Sequence, residues 1–251
     1  MNWLRSIFTK SRTAQAILPP AGDKRIAVNL DGVRAGTKII NLEVILWHTA
    51  DTRQFTTSDD TNHEIFDYQM EGIVCRLADI TNDVILRFTI TALRRLELES
   101  EIGGRIRTRL GALKDSTVKI SDDEISQIED LLSYNLSKLR TIAKELGFPL
   151  SKGPEALILL RNCLVHRDGV YDEDMLLSLA SIYPNPASLC VENRIKISTE
   201  FIDAAITKTR SFIHESESIL HESFGVPWTL MDMRKSTRFR RINEWAYKER
   251  K

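Results

Sequence analysis

From Phe66 onward the apolar positions recur at intervals of three and four. Phe66, Met70, Ile73, Val74 and Leu77 follow this spacing, and NDVILRFTITALRRLELES carries it to Gly103-Gly104, which stop it. That is the period of an amphipathic helix. One long helix is expected, or two with a break at Thr81-Asn82-Asp83. Ser121 and Glu124 of SDDE then form a capping box: the serine hydroxyl accepts from a free backbone N–H, and the glutamate reaches back to the cap residue. The helix it opens runs through Ile125, Ile128, Leu131, Leu132, Leu136, Leu139 and Ile142. Gly147 supplies a left-handed residue to close it, and Pro149 prevents continuation. Pro154 suits the first position of the next helix, where the N–H it lacks would have no partner, and Asp168-Gly169 ends that helix. MLLSLASI predicts a short helix, NRIKIS a short strand or extended lead-in, and Thr199 to Phe224 a long final helix.

Between Lys24 and Thr57 the period changes. KIINLEVILW places Ile40, Leu42, Val44 and Leu46 on one side with Asn41 and Glu43 opposite, and RIAVNLDG ends in an Asp-Gly turn signal. Two or three strands are expected there. Before them, Trp3, Leu4, Ile7 and Phe8 share one side of a short helix that ends at LPP. It fits a cap on the protein's own surface or a membrane-surface anchor, although one short helix binds lipid weakly. The pattern predicts a mainly α chain: a helix plus a small β element over residues 1–58, a helical bundle over 59–225, and a basic, aromatic C-terminal helix or tail over 226–251.

Composition changes this picture little. Lysine plus arginine and aspartate plus glutamate number 35 each, so any attraction to nucleic acid or acidic lipid comes from a local patch rather than a global field. Cys75, Cys163 and Cys190 are odd in number and set in apolar surroundings, which predicts buried thiols in a reducing compartment rather than a disulfide or zinc framework. No run approaches the roughly 20 apolar residues that span a bilayer, and the N-terminal apolar stretch is too short for a signal peptide. A cytoplasmic protein with no membrane span is expected.

The candidate chemistry lies in EALILLRNCLVHRDG, Glu155 to Gly169. Ala156, Leu157, Ile158, Leu159, Leu160, Cys163, Leu164 and Val165 cover every direction around this helix, the mark of a buried one. Arg161, Asn162 and His166 are therefore expected in low dielectric or at an internal cleft, because an unpaired buried charge costs several kcal/mol or more. Asn162 and His166 are one turn apart; Arg161 lies about 140° round the axis from His166 and can approach it through its long side chain.

RNCLVH has the form R-N-x-x-x-H. With the helix around it, the HRDG ending and the long helix that follows, the region from about Asn62 to Phe224 resembles the HEPN superfamily of small helical bundles. The resemblance implies a metal-independent RNA endonuclease, often a toxin of a toxin–antitoxin pair or an antiviral defence effector, held in check by an antitoxin or regulatory protein. It implies a homodimer in which the R-x(4)-H helices of two copies face each other and share one composite site. Carried over, Arg161 and His166 are catalytic, and Asn162 is the polar residue that commonly follows the arginine; no cofactor and no metal are implied. Some relatives carry a carboxylate three or four positions before the arginine, where this chain has Ile158 and Leu157, with Glu155 the nearest acid.

These residue types suit the reaction. Cleavage through the 2′-hydroxyl needs a proton acceptor, a proton donor for the leaving oxygen, and positive charge on the phosphate. Two copies of His166 supply the first two, and Arg161 offers a planar fork of donors for the third. The alternatives are a polar network that pins helices together, in a non-catalytic dimerisation or partner-binding module, and a nucleotide-binding module.

Other clusters are weaker. His214 and His221 are seven residues apart near Glu215, Glu217 and Glu222, too far for shared coordination without further ligands, and predict a solvated helix face. His48 and His63 have no ligand-like neighbours. Arg105, Arg107 and Arg109 beside Gly103-Gly104 lack the strand, loop, helix and lysine of a phosphate loop; a basic loop that helps hold RNA is expected. The segment Met231 to Lys251 has eight basic residues against three acidic, with Phe239, Trp245 and Tyr247 among them. Basic groups grip phosphates and aromatic rings stack on bases, so Arg234, Lys235, Arg238, Arg240, Arg241 and Trp245 are candidate RNA contacts. Packing of the same rings on the bundle is the other reading, and the two can coexist.

Overall fold

The computed structural model describes residues 25–55, 60–111 and 118–232. The expected helix of residues 1–20 and the tail candidates Arg234, Lys235, Arg238, Arg240, Arg241 and Trp245 lie outside the described residues. Within them the protein is mainly helical, with eight α-helices and two small two-stranded sheets.

Strand β1 (Arg25–Val28) pairs antiparallel with β4 (Thr229–Asp232), Arg25 opposite Asp232 and Val28 opposite Thr229. The strand expected in RIAVNLDG is therefore present, with a partner from the far end of the chain. The strands expected through Ile40, Leu42, Val44 and Leu46 are not: this stretch lies in helix α1 (Leu30–Phe55). Ala35, Ile39, Leu42, Leu46 and Thr49 are buried, at intervals of four and three, whereas Ile40 and Val44 are half-buried and Ile45 is exposed. β-Branched residues at positions 39, 40, 44 and 45 lend the segment strand character, and burial of one helical face overrides it. The Asp31-Gly32 pair opens the helix instead of turning a hairpin. Asn29 caps it, its side-chain oxygen accepting from the N–H of Asp31 at 3.0 Å and of Gly32 at 3.2 Å.

Helix α2 (Asp60–Leu93) is continuous through Thr81-Asn82-Asp83. The Thr81 hydroxyl is buried and bonds back to the Leu77 carbonyl at 2.8 Å, so the polar stretch causes no break. Helix α1 runs antiparallel beside α2, tied by Lys38 to Asp83 at 2.8 Å and Arg87 to Asp31 at 3.9 Å. The helices over Leu136–Glu145, Pro154–Arg167 and Thr199–Phe224 also pack on α2, which makes it the central element of the bundle.

Gly103 and Gly104 do not stop a helix; they lie in the first turn of α3 (Glu101–Leu110), capped by Ser100. Arg105, Arg107 and Arg109 thus belong to a helix, not to the expected loop. A methyl group on Gly103 would overlap the backbone of Glu97 and Leu98, so glycine is required there by close approach. The capping box of Ser121 and Glu124 opens α4 (Asp122–Tyr134). The single helix expected after it divides at Asn135, whose side chain accepts from Lys138 N–H at 2.9 Å and caps α5 (Leu136–Glu145). Gly147 has φ of 90°, the left-handed closure expected. A 3-10 turn, Leu150–Lys152, leads into α6 (Pro154–Arg167), with Pro154 at its start.

After α6 come α7 (Glu173–Leu179) and a tight hairpin of β2 (Cys190–Val191) and β3 (Arg194–Ile195). Glu192 and Asn193 between the strands both have positive φ, as a two-residue hairpin turn requires. Helix α8 (Thr199–Phe224) has the bounds read from the sequence. Phe88, Leu77 and Ile85 of α2, Leu157 and Leu160 of α6, and Phe201 and Phe212 of α8 are buried in one core. No helix among the described residues is long and apolar enough to cross a membrane.

Candidate active site at the end of helix α6

Helix α6 is most deeply enclosed over its first half. Pro154, Ala156, Leu157, Ile158 and Leu160 are sealed in, and Cys163 and Leu164 continue the core side. The remaining face, carrying Glu155, Leu159, Asn162 and His166, rises from half-buried to exposed toward the C-terminus. Val165, counted among the apolar positions of a buried helix, is 50% exposed. The expectation of an internal cleft is corrected: Arg161 and Asn162 are half-buried and His166 is exposed, so the charge of Arg161 is only partly desolvated.

The end of this helix is held firmly. Asp168 adopts the left-handed conformation at φ 52°, and Gly169 N–H bonds back to the Cys163 carbonyl at 3.2 Å. The Cys163 thiol donates to the Val170 carbonyl at 3.1 Å. Val170 bridges to Arg194 of the hairpin, whose guanidinium pairs with Asp168 at 2.5 Å. The turn after His166 is thereby fastened to β3.

Arg161 touches two groups. Its Nη1 donates to Asn162 Oδ1 at 3.4 Å, and its Nε lies 3.7 Å from Oδ1 of Asp79 on α2. The first is a long hydrogen bond, the second an ion pair beyond hydrogen-bond range. No described hydrogen bond or ion pair joins His166 to either residue. Asp79 belongs to another helix, and the packing of α2 on α6 brings its carboxylate to Arg161. The same edge of α2 carries Glu71 and Cys75. Burial pushes the Cys75 thiol up, with Arg161 opposing and Asp79 and Glu71 adding to the rise. Burial also pushes the Glu71 carboxyl up; Asp168 and Asp67 reinforce this and Arg194 opposes it.

Other predicted contacts lie apart from this site. Arg105 and Arg109 of α3 reach Glu145 at the end of α5, at 3.2 Å and 3.5 Å. The adjoining Lys144 holds Glu155 at 2.8 Å, in the first turn of α6. Glu155 and His166 are separated by roughly 16 Å along the helix at about 1.5 Å per residue, so the basic side chains of α3 sit toward the opposite end of α6 from His166. A pocket of ≈ 380 Å³ is lined by Phe66, Asp67, Tyr183, Lys196, Ser198 and Glu200, among others, and includes none of Arg161, Asn162 and His166. Lys196 and Asp67 in its wall pair at 3.1 Å.

The histidines of α8 are only partly solvated: His221 Nδ1 is 3.1 Å from the Val226 carbonyl and its ring packs on Trp228. Glu217, expected on that solvated face, is buried at 7% exposure. Its place was readable from Ile213 four residues before and Leu220 three after, both buried. No group of three or more His, Cys, Asp or Glu among the described residues is placed to hold a metal ion. Comparison with protein-family models, with curated proteins and with solved structures yields no match to this chain.

Proposed function

We propose that the chain is an endoribonuclease of HEPN type, acting without a metal as a dimer, with Arg161, Asn162 and His166 of two copies in one composite site. One observation carries the reading: α6 is packed over its first half, yet brings Arg161, Asn162 and His166 together with the exposed Val165 to the surface over its last turns. An apolar edge next to proton-transfer and phosphate-binding groups suits a second copy laid against the same edge, and two-fold contact makes one histidine per chain into two. One His166 takes the proton from the 2′-hydroxyl as O2′ attacks phosphorus; the other gives a proton to O5′ as the P–O5′ bond breaks. A 2′,3′-cyclic phosphate and a free 5′-hydroxyl result. Arg161 stabilises the charge that develops on the phosphate. The basic side chains of α3 and of residues 233–251 add phosphate contacts, and a regulatory partner restrains a toxin or defence effector of this kind.

The test is the His166→Ala protein against the wild type on RNA in the presence of chelator. General acid–base groups contribute about 10²- to 10⁴-fold, so cleavage falls by that factor, and growth arrest on expression is relieved. Equal rates from the two proteins, or no cleavage by pure wild type freed of any partner, remove the assignment.

A non-catalytic bundle that associates through the same edge is favoured by one feature. A catalytic base is ordinarily oriented by a third group, and among the described residues no hydrogen bond fixes the His166 ring. In that case a dimer forms, by light scattering, that binds but never cuts RNA.

A further inference from the structure

A guanidinium has five N–H donors in a rigid plane, and two edges of that plane can grip a phosphate with paired donors: Nε with one terminal nitrogen, or the two terminal nitrogens. In Arg161 the Nε side faces Asp79 Oδ1 at 3.7 Å, while Nη1 donates to Asn162 at 3.4 Å. Among the described residues no partner engages Nη2. The Arg161 side chain is 32% exposed and Asp79 47%, so the pair stands at the surface. Asp79 and Arg161 are brought together by the packing of α2 on α6, both parts of one core, so the backbone that carries the carboxylate belongs to the bundle and not to a loop.

We infer that Asp79 is the positioning residue of this site: it holds the Nε edge and turns the Nη1/Nη2 edge outward, to the phosphate. The inference rests on the RNA-cleaving reading of the same residues. It has an unusual signature, because the carboxylate acts in two opposed ways. It aligns the cation that meets the phosphate, and it adds a negative charge near a negatively charged ligand. Removing the charge while keeping the shape therefore relaxes the aim of Arg161 and at the same time lessens repulsion of RNA.

The experiment compares Asp79→Asn, Asp79→Glu, Arg161→Ala and the double variant Asp79→Asn/Arg161→Ala, all in the full chain. Turnover is measured on RNA, and affinity on a 2′-deoxy oligonucleotide of the same sequence, which binds but offers no 2′-hydroxyl. A small misalignment of a positioning group costs up to about 10²-fold. Asp79→Asn should lower kcat by roughly 10-fold while the deoxy oligonucleotide binds as tightly as before or more tightly. Asp79→Glu should recover part of the lost turnover; in the Arg161→Ala background Asp79→Asn should leave the residual turnover unchanged, while relief of repulsion still acts on affinity. A carboxylate that merely braces the fold would lower both together, with a lower melting temperature, and would do so whether or not Arg161 is present. That result, or an unchanged kcat, overturns the inference.

Should wild-type protein cut no RNA, the nuclease reading fails separately, and the deoxy oligonucleotide alone decides the role of Asp79. An effect of Asp79→Asn on affinity that differs between the wild-type and Arg161→Ala backgrounds upholds it. The same effect of Asp79→Asn in both backgrounds, or binding indifferent to Arg161, refutes it.

Discussion

Helices α6 and α8 both interrupt an apolar pattern with polar side chains, and the fold disposes of them in opposite ways. On α6 the polar residues fall in the last turns, where the covering of the helix thins out; Arg161 finds Asp79 and Asn162, and His166 meets solvent. On α8, Glu217 lies in the buried face between Ile213 and Leu220, next to the fully buried Ser216, whose hydroxyl has no hydrogen-bond partner among the described residues. The Glu217 side chain packs against Gly32 in the first turn of α1, where even a methyl group would overlap its carboxyl. Burial alone pushes the Glu217 carboxyl up to about 8, which favours its neutral form, whereas Arg161 stands half-buried at the surface. A polar residue in an apolar helix therefore marks a site only if the surrounding elements leave it open; enclosed, it is a cost carried by the core.

The largest expected effect sharpens that contrast through pH. A carboxylic acid with a folded value of about 8 and a reference value of 4.5 binds its proton more tightly when folded. Its contribution to stability is complete below about pH 4.5 and is lost as pH rises toward 8, because the unfolded chain ionises first. The shift corresponds to a loss on the order of 4 kcal/mol across that window. Urea denaturation of the wild type and Glu217→Gln at pH 5 and pH 8 reads the difference directly. The glutamine protein should lose far less stability between the two pH values, and parallel behaviour of the two proteins would mean that Glu217 is not enclosed in solution.

The contrast was only half legible in the sequence. Local chemistry was readable: the Ser121 and Glu124 capping box, the left-handed Gly147, Pro154 at a helix start, and the bounds of α8 all follow from residues within one turn of each other. Long-range pairing was not. Asp79 lies 82 positions before Arg161 in the sequence, and no local spacing links them. The α1 segment was misread because two apolar patterns overlap in it, an alternating row through Ile40 and Val44 and a helical one through Ile39, Leu42 and Leu46; which wins depends on the faces of α2 and α8 that it meets. Likewise, nothing near Val165 in the sequence distinguishes a buried apolar position from an exposed one, since the covering elements come from elsewhere in the chain.

A smaller effect tests the enclosure from the other side. Gly32→Ala adds a methyl where the Glu217 carboxyl packs, and overpacking of this kind costs about 1–3 kcal/mol. In a Glu217→Ala background the obstruction is gone, and alanine inside a helix gains roughly 0.5–1 kcal/mol over glycine. The substitution should therefore change sign between the two backgrounds. A thermal melt of the four proteins measures this, and the same sign in both would show that the carboxyl moves aside at little cost.

The smallest expected effect belongs to the residue with the largest proposed role. His166 is exposed, and among the described residues it makes no hydrogen bond or ion pair. Surface substitutions away from caps and networks usually alter stability by less than about 0.5 kcal/mol, and alanine is the better helix former. The αL turn that ends α6 depends on Asp168, Gly169 and Cys163, not on the imidazole. His166→Ala should thus melt within about 1–2 °C of the wild type, following the few degrees per kcal/mol usual for a chain of this length. Melts at several protein concentrations separate the two ways this can fail. A concentration-independent drop of many degrees means the ring packs within its own chain, which would place His166 with Glu217 as an enclosed group. A drop that appears only where the wild type is dimeric means the ring is buried by a second copy, and the exposure of α6 is then completed by association.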